Sequence, residues 1–281
     1  MNLKTAFRPT RKRVAALGAV AGAAALALAV TPPANATAEH HAPEKKPTVV
    51  LVHGAFVDGS SWNGVIKLLQ RDGYPVAAPA NPLRGLASDA EYLKSYLASV
   101  KGPIVLVGHS YGGSVISQAA AGNHNVKALV YIAAFAQDKG ETVTELNSKF
   151  PATELGTALN PVPFPLPGGG TGTDLYVKTD KFHDVFAADA PKSVTDLAAV
   201  TQRPVSASVF DEKPTEAAWK TIPCWDLITT QDKAINPDEQ RFMAKRAHAH
   251  TMEVNSSHAA PVSHPGAVTR IIEQAAGHTA R

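Results

Sequence analysis

The chain has 281 residues, 44% of them hydrophobic, which suffices for one large core and falls short of two well-sized domains. The formal charge is +3, from 27 Lys+Arg against 24 Asp+Glu; without five basic residues near the start the balance is 22 minus 24, or about −2. That leaves no basic excess for nucleic acid, which is excluded as an expected partner, and the single cysteine, Cys224, rules out an intrachain disulfide.

Those five residues, Lys4, Arg8, Arg11, Lys12 and Arg13, precede an Ala/Leu/Val-rich run from Val14 to Val30 and the small-residue site Ala34-Asn35-Ala36. This is the pattern of a secretory signal peptide over residues 1–36, so a secreted protein with no stable membrane span after processing is expected. Residues 37–46 are polar and Pro-containing and read as a flexible lead-in, and a single domain is expected over 47–281.

From there apolar strands and helical patterns alternate. Thr48 to Val52 predicts a strand, Ser61 to Gln70 a helix, Val76 to Ala78 a strand and Ser88 to Ser99 a helix. Ile104 to Val107 predicts a buried strand, Ser114 to Ala121 the helix after it, and Lys127 to Ala133 the next strand. The alternation breaks between about 138 and 219, where the Pro/Gly-rich run 160–170 precedes helical patterns at Asp180 to Ala188 and Ser193 to Val200. An insertion of this length is expected to be a helical cap over a functional site. Alternation resumes with strand Cys224 to Ile228, helix Pro237 to Ala247, strand Thr251 to Val254 and a helix from Pro265 to Ala276. Continuous apolar strands joined by helices predict an α/β fold with a doubly wound, mostly parallel sheet.

The stretch Gly108-His109-Ser110-Tyr111-Gly112 sits between a predicted strand and a predicted helix. A sharp turn there would push the Ser110 hydroxyl out at the strand end, with a helix N-terminus aimed at it. A serine hydroxyl is a weak nucleophile, so it needs a base and a group to orient that base. Two later strand ends supply them: Asp232, after Cys224 to Ile228, and His258, after Thr251 to Val254. The chain order Ser, Asp, His is that of hydrolases built on such a sheet. Asp226 inside its strand and Asp138 after the preceding strand are the rival acids; His264, abutting Pro265, is the rival base. For an oxyanion hole, the backbone N–H of Tyr111 and that of Phe56 or Ala55, in the loop His53-Gly54-Ala55-Phe56, are the candidate donors. No His/Cys spacing suggests a metal, no cofactor is expected, and Cys224 in its apolar run reads as a buried, inert thiol.

The segments Val49 to Ala55, Gly108 to Gly113, Val130 to Phe135, Asp232 and Ser257 to Pro265 resemble the α/β-hydrolase superfamily, and within it the branch of plant methyl-ester hydrolases and hydroxynitrile lyases. The resemblance implies a serine esterase acting on a small carboxylic ester or lactone, without a cofactor. It also marks two departures from the lyases, which carry a hydroxyl side chain where this chain has Gly54 and a lysine where it has Ala259. A small-molecule binding protein on the same fold, or a lyase, is the alternative expectation.

Overall fold

The computed structural model describes residues 46–279. The expected signal peptide and most of the lead-in lie outside them.

The first half builds the sheet in order: β1 (Thr48–Val52), a 3-10 turn (Gly59–Trp62), α1 (Asn63–Arg71), β2 (Val76–Ala77), α2 (Leu86–Ser99), β3 (Ile104–His109), α3 (Tyr111–Ala119) and β4 (Val126–Ile132). The chain then leaves the sheet through α4 (Val143–Asn147), α5 (Leu155–Ala158), β5 (Leu159–Pro165), β6 (Thr171–Val177), α6 (Thr179–Phe186), α7 (Lys192–Thr201) and β7 (Val205–Ser206). It returns with β8 (Cys224–Thr229), α8 (Pro237–Arg246), β9 (His250–Val254), α9 (Ala260–Ser263) and α10 (Pro265–Thr279).

The main sheet has the order β2-β1-β3-β4-β8-β9, and every pairing in it is parallel. The order reverses between β1 and β3, so their carboxyl ends open the crevice where ligands of such sheets bind. Side chains alternate between faces: Val49 and Leu51, with Val105 and Val107, pack against α1 and α10, whereas Val50, Val52 and Leu106 pack against α2 and α3. Both faces are therefore dry, which is why these strands read as unbroken apolar runs. On α1 the buried residues Val65 and Leu69 stand one turn apart.

Two elements differ from the sequence expectation. Helix α3 begins at Tyr111, not Ser114, because Gly112 and Gly113 pack too tightly for side chains and extend the helix back to the turn. The inserted region is not purely helical: its Pro/Gly-rich run forms strand β5, in a three-stranded antiparallel sheet β5-β6-β7. Pro161, Pro163 and Pro165 alternate along β5. On an edge strand their missing N–H groups fall on the unpaired side, leaving Asn160, Val162 and Phe164 to bond β6.

Candidate active site

The turn from β3 to α3 presents Ser110 with φ 54° and ψ −127°, a conformation that a side-chain-bearing residue adopts only where the surroundings impose it. Here the Ser110 N–H donates to the Ile132 carbonyl at 3.2 Å, and its own carbonyl accepts from Phe135 N–H at 3.2 Å. Close backbone approach requires glycine: a Cβ on Gly108 would lie 2.6 Å from the Gly112 carbonyl oxygen. The loop after β1 presses in from the other side, where a Cβ on Gly54 would lie 2.6 Å from the Ser110 Cβ and 2.7 Å from the His109 carbonyl oxygen.

Asp232 and His258 meet beyond the ends of β8 and β9. The His258 Nδ1 lies 2.8 Å from Asp232 Oδ2, and both side chains are buried. Thr229 Oγ1 and Gln240 Nε2 donate to the same oxygen at 2.8 and 2.9 Å, while the N–H groups of Ala234 and Ile235 donate to Oδ1 at 2.7 and 2.9 Å. Burial pushes the Asp232 carboxyl up, but His258 and these donors outweigh it and hold the acid below its ordinary value. An acid so held stays ionised and fixes the tautomer with the proton on Nδ1, leaving Nε2 as the basic nitrogen.

Ser110 and His258 line one small chamber of about 40 Å³, together with Ala55, Phe56, Tyr111 and Phe186. Tyr111 is the first residue of α3, so its N–H has no partner within the helix. Of the two candidates in the loop after β1, the Phe56 N–H is already engaged, donating to the Arg203 carbonyl at 3.1 Å. The Ala55 N–H meets no acceptor among the described residues, so of the two it is Ala55 whose N–H is unengaged, while Phe56 also turns its ring to the chamber. That ring stands edge-on to Phe186, with centroids 6.0 Å apart.

The sequence profile of the alpha/beta hydrolase family matches residues 49–271. The chain belongs to that family. It is 27% identical over 254 residues to an alpha/beta hydrolase of Aspergillus novofumigatus, a match covering 83% of this chain and 97% of that protein. It is similar to methylesterase 2 of Arabidopsis thaliana, at 24% identity over 226 residues, 71% of this chain and 84% of the relative. Among solved structures, polyneuridine aldehyde esterase shares the fold with a TM-score of 0.72 and 19% identity, over 82% of this chain and 98% of that one.

The rival residues of this hydrolase lie elsewhere. Asp226 is buried inside β8, where desolvation raises its carboxyl well above the ordinary range. Asp138 pairs with Lys220 at 2.5 Å at the base of the cap. His264 stands between α9 and α10, its Nδ1 3.3 Å from Asp189 Oδ2. The Cys224 thiol is buried and pushed up to about 12 by burial and by nearby Asp226, which removes it as a nucleophile. Among the described residues no His/Cys/Asp/Glu cluster suits a metal, and no helix is long and apolar enough to cross a membrane.

Four supporting contacts carry no local sequence signal. The His109 Nε2 donates to the His258 carbonyl at 3.0 Å; burial and the neighbouring His258 hold the His109 imidazole down to about 3, so it stays neutral. Tyr111 Oη donates to buried Asp89 at 2.9 Å, anchoring the first turn of α3 to α2. From the cap, Asp189 accepts from Ser257 Oγ at 2.5 Å and from Ser257 N–H at 3.1 Å, while the Phe186 carbonyl accepts from Ala259 N–H at 3.1 Å. The cap thus grips the residues on both sides of His258.

Proposed function

We propose that this hydrolase is an exported serine esterase that cleaves a small carboxylic ester or lactone through an acyl-enzyme. The observation that carries the reading is the buried Asp232–His258 pair, joined at 2.8 Å, whose His258 lines the same 40 Å³ chamber as Ser110. In this reading Ser110 attacks the carbonyl while His258 takes its proton, and the imidazolium is stabilised by Asp232. The oxyanion gathers against the N–H groups of Tyr111 and Ala55, at the positive end of α3. His258 returns the proton to the departing alkoxide, then activates the water that releases the acid. The chamber has room for the reacting group and a short arm, so one side of the substrate is expected to be small.

Cyanohydrin cleavage fits less well. The Gly54 position has no space even for a Cβ on this backbone, and Ala259, 3% exposed, offers no cation to a departing cyanide. Export rests on the sequence of residues 1–36, and a mature N-terminus after Ala36 in culture medium is its direct test.

The function is tested by incubating the mature protein with p-nitrophenyl esters of increasing acyl length beside Ser110→Ala. Release should be prompt, greatest for short acyl groups, and lower by about a millionfold in the variant. Release at the variant's rate for every length would refute the esterase reading.

A further inference from the structure

Beside the catalytic chamber lies a second cavity of about 410 Å³, roughly tenfold the 40 Å³ of the chamber itself. The two share Asn147, Leu155, Phe210 and Ala234 as lining residues. An ester whose carbonyl reaches Ser110 therefore extends its larger arm into this outer cavity, a placement that rests on the esterase reading above. Phe150, Leu159 and Leu175 give the cavity apolar walls suited to a carbon skeleton.

One wall residue breaks that apolar character. Glu239, in the first turn of α8, lines the cavity and is only 2% exposed. The charged groups that face it are Asp232, Glu141 and Lys149, and each is already committed. Asp232 is joined to His258 at 2.8 Å, and Glu141 to Arg246 at 2.8 Å and Lys149 at 2.5 Å. Among the described residues no Lys, Arg or His lies within ion-pair distance of Glu239. Its polar neighbour is the Asn147 side-chain amide, which lies within hydrogen-bond distance of both carboxyl oxygens, 2.8 Å from Oε1 and 3.1 Å from Oε2. Burial, with the charges of Asp232 and Glu141, raises the Glu239 carboxyl to about 8 against the opposing pull of Lys149.

Packing alone does not call for an acid here. A glutamine would fill the same volume and bond Asn147 without a buried ionisable group. A carboxyl without a counter-charge, on the wall of a cavity that shares four lining residues with the chamber holding Ser110, has the chemistry of a cation acceptor. We propose that the outer cavity is a substrate subsite in which Glu239, beside Asn147, receives a basic nitrogen, so that preferred substrates are esters bearing an amine on their larger arm. When a protonated amine enters, the Glu239 proton passes to solvent, and carboxylate and ammonium form the pair that the protein does not complete by itself.

The test uses the dimethylaminoethyl and isoamyl esters of acetic acid, whose alcohols have the same shape and differ by a protonated nitrogen in place of a C–H. At neutral pH the amine ester should have kcat/KM about tenfold or more above the isoamyl ester, and Glu239→Gln should bring that ratio to within about twofold of one. Because both esters are run on one preparation, the ratio is unaffected by any loss of folded protein. Calorimetric binding of the two esters to Ser110→Ala should show the same preference, again lost when Glu239→Gln is added. A wild-type ratio near one, a preference that survives Glu239→Gln, or failure of the amine ester to bind preferentially to Ser110→Ala would each overturn the proposal. Preferential binding without turnover of either ester by the wild type would support the subsite and refute the esterase reading instead.

Discussion

Asp189 accepts hydrogen bonds from both the Oγ and the N–H of Ser257, at 2.5 and 3.1 Å, and so ties the cap to the residue immediately before His258. His258 is thereby held from two sides, by Asp232 at its Nδ1 and by the cap through its backbone. Misplacing a catalytic group by about 1 Å costs roughly a hundredfold in rate. Asp189→Ala is expected to lower kcat by about ten- to a hundredfold with KM little changed, and Asp189→Asn, which keeps one acceptor, to restore most of it. Steady-state kinetics on a short ester with both variants checks this; a change in KM alone would show that Asp189 serves only the cap.

Gly54 is predicted to tolerate no side chain. A Cβ there would lie 2.6 Å from the Ser110 Cβ, and the neighbour it meets is the proposed nucleophile, held in a tight turn. Gly54→Ala should cost about 1–3 kcal/mol of stability and remove most activity, because either the loop or the elbow must shift. Chemical unfolding together with ester turnover measures both effects. Wild-type activity in this variant would show that the loop after β1 does not bear on Ser110.

Asp232→Asn should leave the fold in place while permitting the wrong tautomer of His258, since an amide can donate as well as accept. The expected loss in kcat is about ten-thousandfold, by analogy with other triads. Turnover near the wild-type value would transfer the orienting role to another acid.

The parallel sheet was legible because strands buried on both faces leave continuous apolar runs, as in Val49 to Val52 and Ile104 to Val107. That Ser110, Asp232 and His258 fall just past strand ends was legible for a related reason: strand ends can be read locally, and ligands of such sheets bind beyond them. What stayed hidden depends on contacts distant in sequence. Nothing local tells that the Phe56 N–H is taken by the Arg203 carbonyl, that Asp189 reaches Ser257, or that Glu239 faces a cavity built from residues of the cap. The Pro-rich run misled because proline argues against a strand, and only the register of β5 against β6 shows its prolines falling on an unpaired edge.

Glu239 makes a prediction for stability as well as specificity. Its folded-state value, about 8, lies above the ordinary 4.5 of an unfolded glutamate, so the folded protein holds a proton that the unfolded chain has released. Stability from this group is therefore present in acid and is lost as pH rises from the lower value to the upper one. Glu239→Gln should consequently gain stability relative to the wild type across that window, by about 5 kcal/mol in total, with no further gain above it. Urea unfolding of both proteins at several pH values reads this difference directly. Parallel pH dependences would mean that Glu239 titrates as an ordinary exposed acid.

In the proposed mechanism Ser110 becomes covalently acylated. Mixing the mature protein with p-nitrophenyl acetate, quenching in acid within the first turnovers and digesting for mass spectrometry should place one acetyl group on the peptide carrying Ser110. The label should disappear on longer incubation in the wild type and be absent from Ser110→Ala. An acetyl group found on another residue, or turnover that persists in Ser110→Ala, would rule out Ser110 as the nucleophile.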